Sequence, residues 1–238
     1  MDIEIKGIIC SDSDAWYYEW FGESCAYPQI VNKALKNANG ETVTLKINSP
    51  GGDVFAASEI YTVLKNYAGR VEIEIQGLAA SAASIIAMAG YCKMSPTALL
   101  MVHNVSTSAS GDHRVMEHQA EVLKKANKTM ASAYVNKTGM SEEMALELMS
   151  KESYIDAQEA LTLKLIDEIM FTEQPSVNLN NFKQPIFSNR TVSIPDDVLN
   201  RIFTNGQHKN ADFFMQQKKK KEIETTLNLL NLGGKNYE

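Results

Sequence analysis

Two hydrophobic patterns alternate through the first 170 residues of the chain. Apolar residues at every second position predict β-strands over residues 3–9, 42–47 and 71–75. Apolar residues at helical spacing predict helices over residues 28–38 and 54–64, which lie between these strands. Strands and helices in this order indicate an α/β fold in which right-handed crossovers join the strands of a parallel sheet.

The same patterns continue beyond residue 76. The predicted elements are a buried helix after Ser81, strands over 91–94, 98–102 and 165–170, a long helix over 112–138, and two shorter helices that begin after Ser141 and Asp156. Gly139 ends the long helix, as glycine commonly does at a helix C-terminus. The aromatic-rich segment 11–26 is predicted to be a loop or a short helix.

The composition changes at about residue 171. Asn, Gln, Ser and Pro become frequent, so residues 1–170 are predicted to form one domain and residues 171–209 a linker or extended arm. A short helix is predicted to begin at Pro195 within that arm. The final segment, 210–238, mixes aromatic residues, lysines and leucines, which is compatible with either an amphipathic helix or a disordered tail.

Composition excludes several classes of function. The net charge of −6 argues against a nucleic-acid-binding surface, which needs clustered basic residues. No apolar run approaches the length of a membrane span, and the N-terminus lacks a signal-peptide pattern, so a cytoplasmic protein is expected. The three scattered cysteines resemble reduced thiols rather than a disulfide framework or zinc site, and no metal or cofactor is expected.

Ser81 is the leading candidate for a catalytic residue. It lies among alanines, after Gly77, where a predicted strand gives way to a helix. A sharp turn at such a junction exposes a hydroxyl, and small neighbours leave room for a substrate backbone. Ser84 lies one helical turn further on and is interpreted as a buried packing residue.

A serine nucleophile needs a base, and His103 is the best candidate. It ends an apolar strand, whereas His113, His118 and His208 lie among polar residues and are interpreted as solvated. The resulting tetrahedral oxyanion needs backbone donors. Candidates are the amides of Gly51 and Gly52, in a predicted Pro-Gly-Gly turn at a strand end, and of Ala82, which follows the nucleophile.

A carboxylate would complete a triad by orienting His103. Four acidic residues follow the long helix: Glu152, Asp156, Glu159 and Asp167. Asp156 and Glu159 are explained as a capping box, and Asp167 lies on or beside a strand. Glu152 has no assignable structural role, so it is the candidate acid.

The chain resembles the Clp protease proteolytic subunit, and more closely the related head maturation proteases of tailed bacteriophages. The matching motifs are Ile47-Asn48-Ser49-Pro50-Gly51-Gly52, Gly77-Leu78-Ala79-Ala80-Ser81-Ala82-Ala83, Met101-Val102-His103 and Tyr154-Ile155-Asp156-Ala157-Gln158-Glu159-Ala160, followed by Leu165-Ile166-Asp167. The similarity spans residues 3–170, and the combination of motifs is specific. Residues 53–57 and 137–139 resemble the phage branch.

The resemblance implies a crotonase-like spiral of repeated β-β-α units with a projecting helical handle, formed by the helix that begins at residue 112. It implies that Ser81 is the nucleophile and His103 the base, and that Glu152 stands where the family has an aspartate. It further implies a homo-oligomeric ring, heptameric in the housekeeping family, with protein substrates. A phage enzyme would act without ATP in the prohead, in the host cytoplasm, on capsid or scaffold proteins.

Three alternatives remain. A catalytically silent oligomeric scaffold or assembly protein would retain the fold without the chemistry. A Ser–Lys protease would use a lysine base, for which Lys93 is the candidate near the motif. A crotonase-type coenzyme A enzyme would share the fold and the oxyanion site but would not need both Ser81 and His103.

Overall fold

The computed structural model of the protein describes residues 1–171. The predicted arm over 171–209 and tail over 210–238, including His208, therefore lie outside the described residues, apart from Phe171. Within residues 1–171 the elements are β1 (Asp2–Ile9), α1 (Ala15–Phe21), β2 (Cys25–Ala26), α2 (Pro28–Ala38), β3 (Val43–Gly52), α3 (Val54–Lys65), β4 (Val71–Ala80), α4 (Ala82–Ala87), β5 (Tyr91–Met94), β6 (Leu99–Val102), α5 (His113–Thr138), α6 (Glu142–Ser150), β7 (Ser153–Ile155), α7 (Ala157–Thr162) and β8 (Glu168–Ile169).

The strands form one sheet in the order β2-β1-β3-β4-β5-β8, in which every neighbouring pair is parallel. β4 has two partners on one edge, because its first half pairs with β5 and its last residues pair with β6. β7 adds to β6 in the antiparallel direction, which the sequence did not predict. The predicted parallel α/β sheet is confirmed.

One face of the sheet carries the hydrophobic core. Alternate residues of β1, β3 and β4 are fully buried, including Ile5, Ile47 and Ile73. Helices α2 and α3 contribute apolar residues to the same core, with Val31 and Ile60 both at 0 % exposure. Removing a buried isoleucine side chain from such a core costs about 2–5 kcal/mol of folding free energy. The core therefore holds the carboxyl ends of β3 and β4 in place.

Two strands run further than the sequence predicted. β3 continues through the Pro-Gly-Gly segment to Gly52, and β4 continues to Ala80. The predicted turn at Pro50-Gly51-Gly52 is therefore wrong. The segment stays extended because Ile8 and Ile9 of β1 pair with Gly51 and Gly52 across a register shift. Such pairing between distant segments overrides a local turn signal.

The predicted long helix is present as α5, and its two halves have different environments. Asp112 caps it through hydrogen bonds to the backbone N–H groups of Arg114 and Val115. Val115 and Val122, in the N-terminal half, are exposed. Met130 and Tyr134, near the other end, are buried. The helix thus anchors in the core by its C-terminal half, and its N-terminal half is exposed.

The predicted strand at 165–170 is present only as the two-residue β8. Asp167 precedes it and accepts a hydrogen bond from the backbone N–H of Cys92 at 2.7 Å. Lys137 also donates to the Asp167 carboxylate and to the Gly90 carbonyl. Backbone hydrogen bonds from Asp167 N–H to the Cys92 carbonyl and from Met170 N–H to the Met94 carbonyl flank the short strand, so the chain still follows β5 on both sides of β8. None of the helices within residues 1–171 is long and apolar enough to span a bilayer.

Candidate active site

The candidate site forms where β4 and β6 end side by side. Ser81 follows the last residue of β4, and His103 follows the last residue of β6. The two strands are parallel, with Ala80 paired to Met101. The Ser81 N–H extends the pairing by donating to the Met101 carbonyl at 2.9 Å. Parallel pairing in this register brings residues 81 and 103 to the same edge of the sheet.

The side chains of Ser81 and His103 are in direct contact. The Nε2 atom of His103 lies 2.7 Å from Ser81 Oγ, and both residues are half-buried. When the ring proton is on Nδ1, Nε2 accepts the serine proton in this hydrogen bond. The pair therefore has the geometry for transfer of a proton from the hydroxyl to the imidazole.

The backbone of Ser81 is strained. Its φ is 54° and its ψ is −122°, outside the regions that residues with a side chain ordinarily occupy. Such conformations cost about 1–3 kcal/mol and occur mainly where function requires them. A strained serine between a strand and a helix is also the form of a nucleophile elbow, which presents the hydroxyl to solvent.

Ser84, unlike Ser81, is buried and uses its hydroxyl in hydrogen bonds within the fold. Its side chain is fully buried, and its Oγ donates to the Ser81 carbonyl oxygen at 2.6 Å. The Tyr134 hydroxyl lies 2.7 Å from the same Oγ. Both contacts are internal, so Ser84 occupies the packing position that the sequence suggested.

Gly51 provides space beside the serine. Its φ is 97°, and a Cβ at this position would lie 2.6 Å from the Ala80 carbonyl oxygen and 2.8 Å from Ser81 Cβ. Its own N–H donates to Ser49 Oγ at 3.0 Å, and the buried Ser49 hydroxyl donates to the Gly7 carbonyl. The Gly51 amide is thus already used within the fold.

The backbone N–H groups of Gly52 and Ala82 are the other two candidate donors to the oxyanion. Asp53 N–H donates to the Ile9 carbonyl, and Ile9 pairs with Gly52. The hydrogen bonds to β1 are therefore made by the residues on either side of Gly52, and Gly52 directs its own N–H to the other edge of β3. That edge faces β4. Ala82 is the first residue of α4, so its N–H is one of the donors that a helix leaves without an internal partner.

The candidate carboxylate, Glu152, does not touch His103. Within residues 1–171 no hydrogen bond or ion pair joins the two side chains, and Glu152 is exposed with a φ of 49°. Its backbone position is nevertheless adjacent. Val102 pairs with Ser153 in the antiparallel β6–β7 ladder, so Glu152 and His103 occupy the next facing positions.

The other acidic candidates have structural roles. Asp156 accepts from the Glu159 N–H at 2.8 Å and caps α7, with Glu159 in the first turn of that helix. Asp167 binds Cys92 N–H and Lys137. The carboxylates of Asp156 and Asp167 are thus used by the fold, and Glu152 is the glutamate that occupies the position facing His103.

The remaining candidates lie elsewhere. Lys93 faces Glu74 on β4 and lies near Glu168, at 3.9 Å, rather than at Ser81. His113 and His118 are exposed on α5. All three cysteines are free thiols, and residues 1–171 contain no cluster of side chains suited to a metal ion.

Sequence reasoning did not single out Tyr134 or Ser49. The helical spacing of 112–138 places Tyr134 on the apolar side of that helix, and Ser49 is one residue of the Ser-Pro-Gly-Gly motif. A buried tyrosine usually finds a hydrogen-bond partner, which is a signal that its hydroxyl does more than pack. The partner itself is fifty residues away, so only the folded chain reveals it.

A serine in contact with a histidine, beside a glycine-lined gap and a helix N-terminus, is the arrangement that serine hydrolases use. The Clp protease family model matches residues 27–173, more than half of the chain, so the chain belongs to the Clp protease family. The predicted α/β fold of this family is thereby confirmed. Membership supports a proteolytic function.

Individual relatives are similar at low identity. The ATP-dependent Clp protease proteolytic subunit 1 of Chlamydia muridarum is 28% identical over 138 residues, which are 56% of this chain and 72% of that protein. The proteolytic subunit of Deinococcus radiodurans is 29% identical over 133 residues, or 55% and 65% of the two chains. Each of these similarities thus covers a little more than half of this chain.

Proposed function

We propose that this protein is a serine endopeptidase in which Ser81 is the nucleophile and His103 the general base. The observation that carries the proposal is the 2.7 Å contact between Ser81 Oγ and His103 Nε2. The strained backbone of Ser81 supports it, because strain of this kind is retained where it orients a reacting group.

The reaction follows from this geometry. Ser81 Oγ bonds to the carbonyl carbon of the scissile peptide while His103 Nε2 takes its proton. Collapse of the tetrahedral intermediate breaks the C–N bond, and His103 gives the proton to the leaving amine. Water then attacks the acyl-serine ester while His103 takes one of its protons, and that proton returns to Ser81 as the acid product leaves.

Backbone amides are proposed to stabilise the oxyanion. The N–H groups of Gly52 and Ala82 are the donors, since the Gly51 N–H is held by Ser49 Oγ. Gly51 contributes by having no side chain, because a Cβ there would lie 2.9 Å from the Ala82 nitrogen. Preorganised donors of this kind are commonly the largest electrostatic contribution to acyl transfer.

Glu152 is the proposed third member of the triad. Its position opposite His103 across the β6–β7 pair supports the assignment. A rotation of its side chain toward Nδ1 of His103 would hold the imidazole in the tautomer that the mechanism needs. The carboxylates of Asp167 and Asp156 bind Cys92, Lys137 and the α7 N-terminus, and Glu159 lies within α7, which leaves Glu152 as the candidate that faces His103.

We further propose that the enzyme works without an ATPase, as a homo-oligomeric ring inside the prohead of a tailed bacteriophage. Its substrates would be capsid and scaffold proteins in the host cytoplasm. The phage-like segments 53–57 and 137–139 support this context. The family's rings enclose their active sites, and the exposed N-terminal half of α5 offers a surface for contacts between subunits.

A fluorophosphonate probe tests the mechanism directly. Wild-type protein should be labelled at Ser81, as mapped by mass spectrometry, and should degrade fluorescein-labelled casein equally well with and without ATP. Ser81→Ala and His103→Ala should each abolish labelling at residue 81 while keeping the wild-type circular dichroism spectrum. Labelling at Ser84, or casein cleavage by Ser81→Ala, would overturn the assignment.

The intact mass of the protein after prolonged incubation tests the maturation role. Loss of a C-terminal segment from wild type but not from Ser81→Ala would support self-processing of the predicted arm. An unchanged C-terminus in both proteins, within assembled heads, would count against it.

A second candidate is a catalytically silent assembly protein with the same fold. The observation in its favour is that Glu152 and His103 are not hydrogen-bonded within the part of the chain that is described. This candidate predicts no fluorophosphonate labelling of the wild-type oligomer and no effect of Ser81→Ala on assembly.

A further inference from the structure

Three groups form a line from α5 to the peptide bond that follows Ser81. The Tyr134 hydroxyl lies 2.7 Å from Ser84 Oγ, and Ser84 Oγ lies 2.6 Å from the Ser81 carbonyl oxygen. The Ser84 backbone N–H also donates to that carbonyl, at 3.0 Å. The carbonyl is therefore held by two donors, one of which is backed by Tyr134.

Proton counting gives the direction of these hydrogen bonds. A carbonyl oxygen can only accept, so the single proton of the Ser84 hydroxyl is used on Ser81. The contact between the two hydroxyls then requires Tyr134 to donate to Ser84. Hydrogen bonds in such a chain polarise one another, which strengthens the last one.

The peptide plane transmits this restraint to the oxyanion donor. The Ser81 carbonyl and the Ala82 N–H belong to one planar trans unit, and they point in opposite directions. Fixing the oxygen therefore fixes the direction of the N–H. The restraint acts at Ser81, whose backbone is strained at φ 54° and ψ −122°. Relaxation of Ser81 to an ordinary conformation would rotate this peptide plane and turn the Ala82 N–H away from the oxyanion.

The surroundings keep the line in place. Tyr134 and Ser84 are 3 % and 0 % exposed, and Tyr134 lies in the stretch of α5 where Met130, Ala131 and Ala133 are also buried. Burial raises the pKa of the Tyr134 phenol well above its ordinary value, so the hydroxyl remains protonated and able to donate.

We propose that Tyr134 is a positioning residue, which acts through Ser84 to hold the Ser81–Ala82 peptide so that the Ala82 N–H faces the oxyanion. This inference rests on the proposed serine-protease function and adds a role for α5 in it. Tyr134 touches no reacting atom, so its contribution is to the transition state through the orientation of a donor.

Tyr134→Phe removes the first donor and keeps the ring. With the best-cleaved member of a peptidyl-aminomethylcoumarin panel, we expect kcat per labelled active site to fall about tenfold while KM stays within about twofold. Affinity for a matching peptidyl aldehyde, which forms a tetrahedral oxyanion on Ser81, should weaken in parallel with kcat.

Two further variants separate positioning from stability. Tyr67→Phe removes a tyrosine hydroxyl that donates to the Glu41 carbonyl at 2.7 Å, before the start of β3 and hence away from the site. It should leave kcat and aldehyde affinity unchanged. Ser84→Ala breaks the same line, so its loss of kcat should not increase when Tyr134→Phe is added.

The outcomes are distinct. Wild-type activity with unchanged kcat and aldehyde affinity in both Tyr134→Phe and Ser84→Ala would overturn the inference and leave the serine mechanism intact. Absence of labelling and activity in the wild type would instead overturn the proposed function. If Tyr134→Phe does not fold, Ser84→Ala alone decides: a normal kcat in folded protein contradicts the positioning role.

Discussion

Glu152 and His103 occupy facing positions at the end of the β6–β7 pair, although their side chains do not meet. The register is set by Leu100 with Ile155 and by Val102 with Ser153. The backbones of Glu152 and His103 are adjacent, but their side chains are apart. Substitution of Glu152 is therefore the most direct test of the proposed triad.

Glu152→Gln should lower kcat/KM by about 100-fold or more if the carboxylate orients His103 during turnover, as loss of the acid does in other triads. Glu152→Asp should retain more activity, since it keeps the charge. The measurement is steady-state hydrolysis of a fluorogenic peptide, together with the rate of fluorophosphonate labelling.

Glu159→Gln is the matched control for Glu152, because it changes a nearby exposed carboxylate in the first turn of α7. It should retain activity close to wild type. Equal activity in Glu152→Gln and Glu159→Gln would show that His103 works without Glu152.

Gly51→Ala should remove activity and lower stability, because its Cβ would crowd Ser81 and Ala82 at a φ of 97°. We expect a loss of about 2–4 kcal/mol in urea unfolding, from overpacking added to backbone strain. Gly40→Ala is the control: its φ is 85°, but a Cβ there meets nothing within 4 Å.

Gly40→Ala should therefore cost only the strain of a left-handed residue, about 1–2 kcal/mol, and keep full activity. Similar losses of stability and activity in Gly51→Ala and Gly40→Ala would mean that Gly51 is not required for the space beside Ser81.

Lys137→Met should destabilise the edge of the sheet by about 1–3 kcal/mol. Lys137 is 11% exposed and joins Asp167 to the Gly90 carbonyl, so its loss leaves a partly buried carboxylate without its cation. Lys124→Met is the comparison, because its pair with Glu121 is 70% and 63% exposed and should contribute little to stability. Chemical unfolding of both variants checks this difference.

Stability should fall as the pH rises above 9, in part through Cys92. Burial raises the pKa of its thiol from 9.0 to about 12, so the unfolded chain releases this proton before the folded one does. The neutral thiol is fully compatible with the fold below pH 9, and the penalty grows by about 1.4 kcal/mol per pH unit between 9 and 12.

Urea unfolding of wild type and Cys92→Ala between pH 8 and 10.5 tests this linkage. The variant should show a shallower decline above pH 9, whatever its stability at pH 8. Parallel curves would mean that the folded thiol titrates near its ordinary value.

Much of the fold was predictable because it is encoded locally. The alternation in residues 71–75 and the helical spacing in 112–138 report which face each element buries, and β4 and α5 follow them. The capping roles of Ser141 and Asp156 are equally local, and both side chains accept hydrogen bonds from backbone N–H groups in the first turn of their helices. The turn predicted at Pro-Gly-Gly was wrong because its signal is also local, whereas pairing with the distant strand β1 decides the conformation of this segment.

The candidate site shows the same division. The sequence alone distinguished Ser81 and His103 as candidates, because small neighbours and a strand end can be read from adjacent positions. Only the tertiary structure decided that their atoms lie 2.7 Å apart, that Gly51 makes space while its amide is occupied, and that Tyr134 reaches Ser84. These relationships depend on the register of parallel strands and on the packing of α5, which join residues too far apart along the chain for any local pattern to relate them.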